Sequence, residues 1–178
     1  MNPLSLQQSI LELIDTRSFS NLWYWIALAV VWSTTSHWVL GVPFDMVQRA
    51  RRAGGQAETD LEDLVRINCN RMLFIGRVSG LWIIGFACFV LSGLLVLGFW
   101  YGVELAQAVF LIVFPLAIVG AMSLSTAQLI VEQNLTGDAL RRRLTRHRSW
   151  VQVLGIFAIF VTAMWGMYQN ITLGAFFG

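Results

Sequence analysis

Lysine is missing from this chain: all twelve basic residues are arginine. That bias reflects a GC-rich genome more than a mechanism. The two cysteines, Cys69 and Cys88, are expected near one membrane face and inside hydrocarbon. They are too few and too far apart for a disulfide framework or a thiolate metal site. Proline occurs three times, and no Pro-rich linker, low-complexity tract or internal repeat divides the sequence. No basic stretch followed by an apolar run and an A-x-A exit marks a cleavable signal peptide. Catalytic signatures are also lacking: there is no G-x-S-x-G, H-E-x-x-H, P-loop or paired-carboxylate arrangement, so an enzyme is not expected. From Val78 to Trp100 no side chain is ionisable except Cys88.

What is present is apolar. A hydrophobic content of 57% and a mean hydropathy of +0.66 exceed what a soluble domain of this size carries. Four runs fit membrane spans, at about 22–40, 73–100, 105–131 and 150–168. The expected fold is therefore all-α, an integral membrane four-helix bundle forming one polytopic domain over 1–178. Its centre is the second span. Thr59 and Glu62 have the spacing of a capping box, and a single helix is expected to run from there through Trp100. Its first third would stand in water, so the second span extends into the cytoplasm. Trp23-Tyr24-Trp25 and Trp100-Tyr101 read as interfacial aromatic belts. Ser20 or Asn21 can cap the first span, Gly41-Val42-Pro43 should stop it, and Pro115 should kink the third. A short helix is expected over 45–53, and another beginning at Asp138 ahead of the fourth span. Residues 4–15 place Leu6, Ile10, Leu13 and Ile14 on one face, an N-terminal amphipathic helix.

Orientation follows from where the arginines lie. The loop at about 43–72 holds Arg49, Arg51, Arg52, Arg66 and Arg71, and that at about 132–149 holds Arg141, Arg142, Arg143, Arg146 and Arg148. Arg77 belongs to the same side, and only Arg17 opposes them. Both loops are thus expected in the cytoplasm of a bacterial inner membrane, with both termini outside.

Polar residues inside the spans are the first candidates for a site. Ser33, Ser36 and His37 share one face of the first span, and Ser125, Gln128 and Glu132 form a stripe on the third. Arg77, beside the Gly76–Gly80 pair, would bring the second span to the same level. The plain reading of this layer is helix packing; the sharper one is a polar pocket or an ion or proton path. Arg77 can snorkel to water or pair with Glu132, in which case Glu132→Gln should destabilise more than Glu58→Gln. His37 and His147 are the only histidines. Two such residues can hold a haem b iron, but His147 is expected among arginines in water, facing no cavity, and no small-residue slot flanks both histidines, so no cofactor is expected.

Two charged surfaces remain. Arg141, Arg142, Arg143, Arg146 and Arg148 suit anionic lipid headgroups, and no aromatic interleaving accompanies them, so nucleic acid is not expected. Asp60, Glu62 and Asp63 could pair with Arg49, Arg51 and Arg52 across Gly54-Gly55, or meet a basic partner.

The segment from Ser18 to Trp25 and the run from Ser36 to Val47 resemble small inner-membrane proteins of alphaproteobacteria. Some of these are labelled as a component of the iron–sulfur assembly (Suf) complex. The resemblance implies a bacterial inner-membrane location. Two separated cysteines supply no cluster-binding set, so a role of that kind would be docking, and no functional residue carries across. The function expected is an accessory, assembly or scaffold subunit that works through a protein partner. The alternative is a small homo-oligomeric channel or transporter using the polar layer.

Overall fold

The computed structural model describes residues 18–176, with side chains described from 19 to 171. The amphipathic helix expected over 4–15 lies outside the described residues. A 3-10 turn at Ser18–Ser20 leads into α1 (Leu22–His37). A two-residue ladder, β1 (Trp38–Val39) with β2 (Val42–Pro43), follows. Then come α2 (Phe44–Ala53), α3 (Gln56–Leu95), α4 (Glu104–Glu132) and α5 (Gly137–Phe176). The described residues are helical nearly throughout. Among the described residues, three helices are long and apolar enough to cross a membrane: α3 with its continuation to Trp100, α4 and α5.

Asn21 caps α1, its side-chain oxygen accepting from the Trp23 N–H at 2.9 Å, as a short polar residue ahead of a helix can. α1 has 16 residues, about 24 Å at the usual rise and shorter than the run expected from the sequence. It stops at His37 because Leu40 and Gly41 take positive φ (53° and 74°) to turn the β1–β2 hairpin. The Gly41 carbonyl accepts from Asn68 Nδ2 at 3.1 Å, tying that hairpin to α3.

Helix α3 begins at Gln56, not at a Thr59 capping box. Gly54 and Gly55 have φ of 60° and 50°, conformations open to glycine, and the turn they make starts the helix early. The Thr59 hydroxyl points back to the Gly55 carbonyl, and Glu62 is used elsewhere. The last turn before Gly102 is a π-turn, Val96–Trp100. α4 runs unbroken through Pro115. α5 also differs from expectation: the short arginine-bearing helix and the fourth apolar run are one 40-residue helix, so residues 137–149 are its first turns and not a separate helix.

Packing runs α3 on α4, α4 on α5 and α5 on α1. Two apolar cores result. At the arginine-bearing end, Val47 and Ala50 of α2, Leu61, Val65 and Cys69 of α3, Ala127 and Ile130 of α4, and Leu140 and Leu144 of α5 are buried together. Within the span level, Leu28 and Trp32 of α1 meet Val119 of α4 and Val151 and Ala158 of α5. Gly155 permits this: a Cβ there would lie 2.7 Å from the Trp32 ring.

Candidate functional site

Charged and polar side chains concentrate at the arginine-bearing end, and their first role is to join helices. Glu58 and Asp138 both pair with Arg141, whose side chain is 17% exposed. The Asp138 hydrogen bond, chiefly, raises the guanidinium's pKa further above its ordinary value. Glu62 Oε1 accepts from the Gly137 N–H at 2.7 Å. A carboxylate at a helix N-terminus satisfies an orphan donor and meets the positive end of the dipole. The acidic turn of α3 therefore holds the start of α5 and does not bridge to Arg49, Arg51 and Arg52. Asp63 pairs locally with Arg66 at 3.0 Å, and Asp60 accepts from Gln56; both remain exposed.

Arg148 is a clamp. Its Nε donates to the Ser36 carbonyl at 3.2 Å, and its guanidinium carbon lies 3.8 Å above the centre of the Phe44 ring. The last carbonyls of α1 have no partner inside their own helix, so a cation from α5 supplies one. A single side chain thereby fixes the end of α1, the start of α2 and the first third of α5.

The expected polar layer divides. Ser33, Ser36 and His37 line one cleft of about 430 Å³ with Trp38 and Arg148. Ser125 lines a different one, of about 370 Å³, with Arg143, Arg146 and His147. Gln128, Glu132 and Arg77 are exposed. Among the described residues, the ion pairs are those of Arg66 and Arg141, and Arg77 is not joined to Glu132. The three helices present these groups on different faces, which spacing along each helix does not reveal.

His147 is not in water. It is 5% exposed, with Nδ1 3.1 Å from the Thr126 hydroxyl and Nε2 3.3 Å from the Ser123 hydroxyl. Both ring nitrogens are occupied, and His37 and His147 line separate clefts, so the pair does not form a haem slot. Among the described residues no cluster of three His, Cys, Asp or Glu could hold a metal ion.

Two further clefts, about 470 and 460 Å³, lie between α2 and α5 and share Arg51, Arg141 and Thr145. Arg142 and Arg146 line the second.

At the opposite end sits a site that the sequence reading missed. Gln107 is 3% exposed. Its Nε2 donates to the Gly98 carbonyl at 2.8 Å, and its Oε1 accepts from Trp165 Nε1 at 2.9 Å and from Gln169 Nε2 at 2.6 Å. Phe99 packs against Phe110 and Trp165, with ring centroids 5.6 and 5.3 Å apart. One amide thus knots α3, α4 and α5. A lone Gln one turn into an apolar helix is the signal that could have flagged it.

Comparison with protein-family models, curated proteins and solved structures gives no match to this chain.

Proposed function

We propose that the chain is an accessory, assembly or scaffold subunit of a bacterial inner-membrane complex, docked through the apolar half of α3. The observation behind this is an asymmetry of burial. The most apolar window of α3 is 0% buried within the chain, against 17% for α4 and 28% for α5. Half-buried Ala87, Val90, Leu91 and Leu94 lie on one side of that helix. The other side carries exposed Gly85, Cys88 and Ser92 at i, i+3 and i+7. A Cβ at Gly85 would meet nothing within 4 Å. Lipid has no use for a groove of small residues, whereas a neighbouring helix can approach its backbone closely there.

In this reading the chain passes the bilayer four times with both termini outside. α1 is short, but it lies antiparallel to α5 along its whole length. Phe19 meets Gly166 at one end, Trp32 meets Gly155 midway, and Ser36 meets Arg148 at the other. Arginine placement sets the orientation, and the resemblance of the Ser18 and Ser36 segments supports the inner membrane.

A photo-crosslinking residue at position 88, activated in native membranes, tests the docking face. Foreign adducts from position 88, absent when the probe sits at exposed Phe114 on α4, support the accessory role. Self-adducts alone move the assignment to the homo-oligomeric channel or transporter, and no adduct defeats the docking face. A visible spectrum of the same preparation checks for haem.

A further inference from the structure

Of the clefts at the arginine-bearing end, the one between α4 and α5 differs in chemistry. It has about 370 Å³ of space and is bordered by Arg143 and Arg146, with the Ser125 hydroxyl beside them. Its other wall is apolar: Ile118, Ala121 and Met122 of α4. Trp150 stands at the junction, 60% exposed, the place an indole takes between hydrocarbon and headgroup. No carboxylate lines the cleft.

Arg143 is half-buried, and no ion pair or hydrogen bond engages it or Arg146 among the described residues. The adjacent imidazole of His147 cannot serve, because hydroxyls of Thr126 and Ser123 hold both its nitrogens. Two guanidinium groups without a counter-charge, Arg143 half-buried and Arg146 exposed beside it, favour an anion. The α2–α5 clefts hold no half-buried guanidinium that is free of a carboxylate: Arg51, Arg52 and Arg142 are exposed, and Asp138 lines the cleft that Arg142 and Arg146 reach. Arg141 in the α2–α5 clefts is already met by Glu58 and Asp138, and Arg148 in the α1 cleft is held by Ser36 and Phe44.

We propose that this cleft holds one anionic phospholipid, its phosphodiester on Arg143 and Arg146 and an acyl chain along Ile118 and Met122. The apolar wall continues into the hydrophobic part of α4, which suits a lipid tail and gives nothing to a free phosphate. The absence of an acidic side chain leaves no seat for a choline or ethanolamine cation, so the headgroup is net anionic.

The test is native mass spectrometry of the full chain in mild detergent, titrated with phosphatidylglycerol, phosphatidylcholine or soluble glycerol 3-phosphate. One tightly held phosphatidylglycerol is expected, with neither of the others. Arg143→Gln with Arg146→Gln should weaken it about thirtyfold, roughly a factor of five for each basic contact at a headgroup. Ala121→Phe fills the apolar wall, leaves every arginine in place and should weaken it at least about tenfold, as loss of several buried methylenes does. The charge-matched pair Arg49→Gln with Arg71→Gln should stay within about twofold, since neither residue lines the cleft. Equal loss in that control pair, retention by Ala121→Phe, or equal binding of glycerol 3-phosphate each overturns the inference. If the double arginine variant does not fold, Ala121→Phe and Arg146→Gln alone decide. The inference rests on α4 and α5 crossing a bilayer. A chain soluble without detergent defeats that premise, whereas a detergent-requiring chain that retains no lipid defeats only the inference.

Discussion

Replacing Gly98 by alanine asks whether the knot around Gln107 holds α3, α4 and α5 together. A Cβ at this position would lie 2.9 Å from the Gln107 backbone nitrogen, 3.0 Å from Gln107 Cγ and 3.2 Å from the Ala106 carbonyl carbon. Two of those atoms are backbone, so no side chain can swing aside, and the α3–α4 connection must open. Overpacking of this kind costs about 1–3 kcal/mol. Opening also stretches the Gln107 bond to the Gly98 carbonyl, a net contribution of about 0.5–1.5 kcal/mol. Alanine's better helix propensity returns about 1 kcal/mol. The balance is a destabilisation of about 1–3 kcal/mol, and at about 2–4 °C per kcal/mol for a chain of this length the melting temperature falls by roughly 2–12 °C. Thermal unfolding in detergent gives that number. Near-ultraviolet circular dichroism should lose intensity as Phe99 and Trp165 separate. Gly93→Ala is the control, since a Cβ there meets nothing within 4 Å; it should be neutral or stabilising by up to about 1 kcal/mol. Equal responses from the two glycines would refute the reasoning.

Three other perturbations probe the opposite end and the α1–α5 seam. Arg148→Gln removes the cation over Phe44 and weakens the partner of the Ser36 carbonyl, so a loss of about 1–3 kcal/mol is expected; Arg148→Lys should recover little of it, because a point charge lacks the planar stacking face, and full recovery in thermal unfolding would count against the clamp. Glu58→Gln should destabilise more than Glu132→Gln, by about 0.5–1 kcal/mol, reversing the order drawn from an Arg77–Glu132 pair; parallel melting curves decide it. Gly155→Val should expel the Trp32 ring and cost about 2–3 kcal/mol, read as a lower melting temperature together with new protease cleavage near α1; an unchanged digestion pattern would show that α1 docks some other way.

The helices themselves were legible because their causes are local. Asn21 sits where a cap belongs, Gly54-Gly55 breaks the chain between α2 and α3, and Leu140 and Leu144 recur on the face that becomes buried. Beyond the bounds of α1, α3 and α5, the misreadings were of partnership. Glu62 looked like half of a capping box but caps α5, more than seventy residues away. His147 looked solvated because its neighbours in sequence are arginines, yet its neighbours in space are the hydroxyls of Ser123 and Thr126. Gln107 drew no notice, since one amide in an apolar run carries no pattern.

By itself, then, the sequence determined an all-helical chain with long apolar helices and its arginines gathered at one end, because periodicity, capping and the cost of charge in hydrocarbon act within a few residues. Tertiary structure alone decided which arginines are spoken for. Arg141 and Arg148 are consumed in joining helices while Arg143 and Arg146 border the cleft between α4 and α5, and that division depends on which helix faces meet, a matter of distances between residues far apart along the chain.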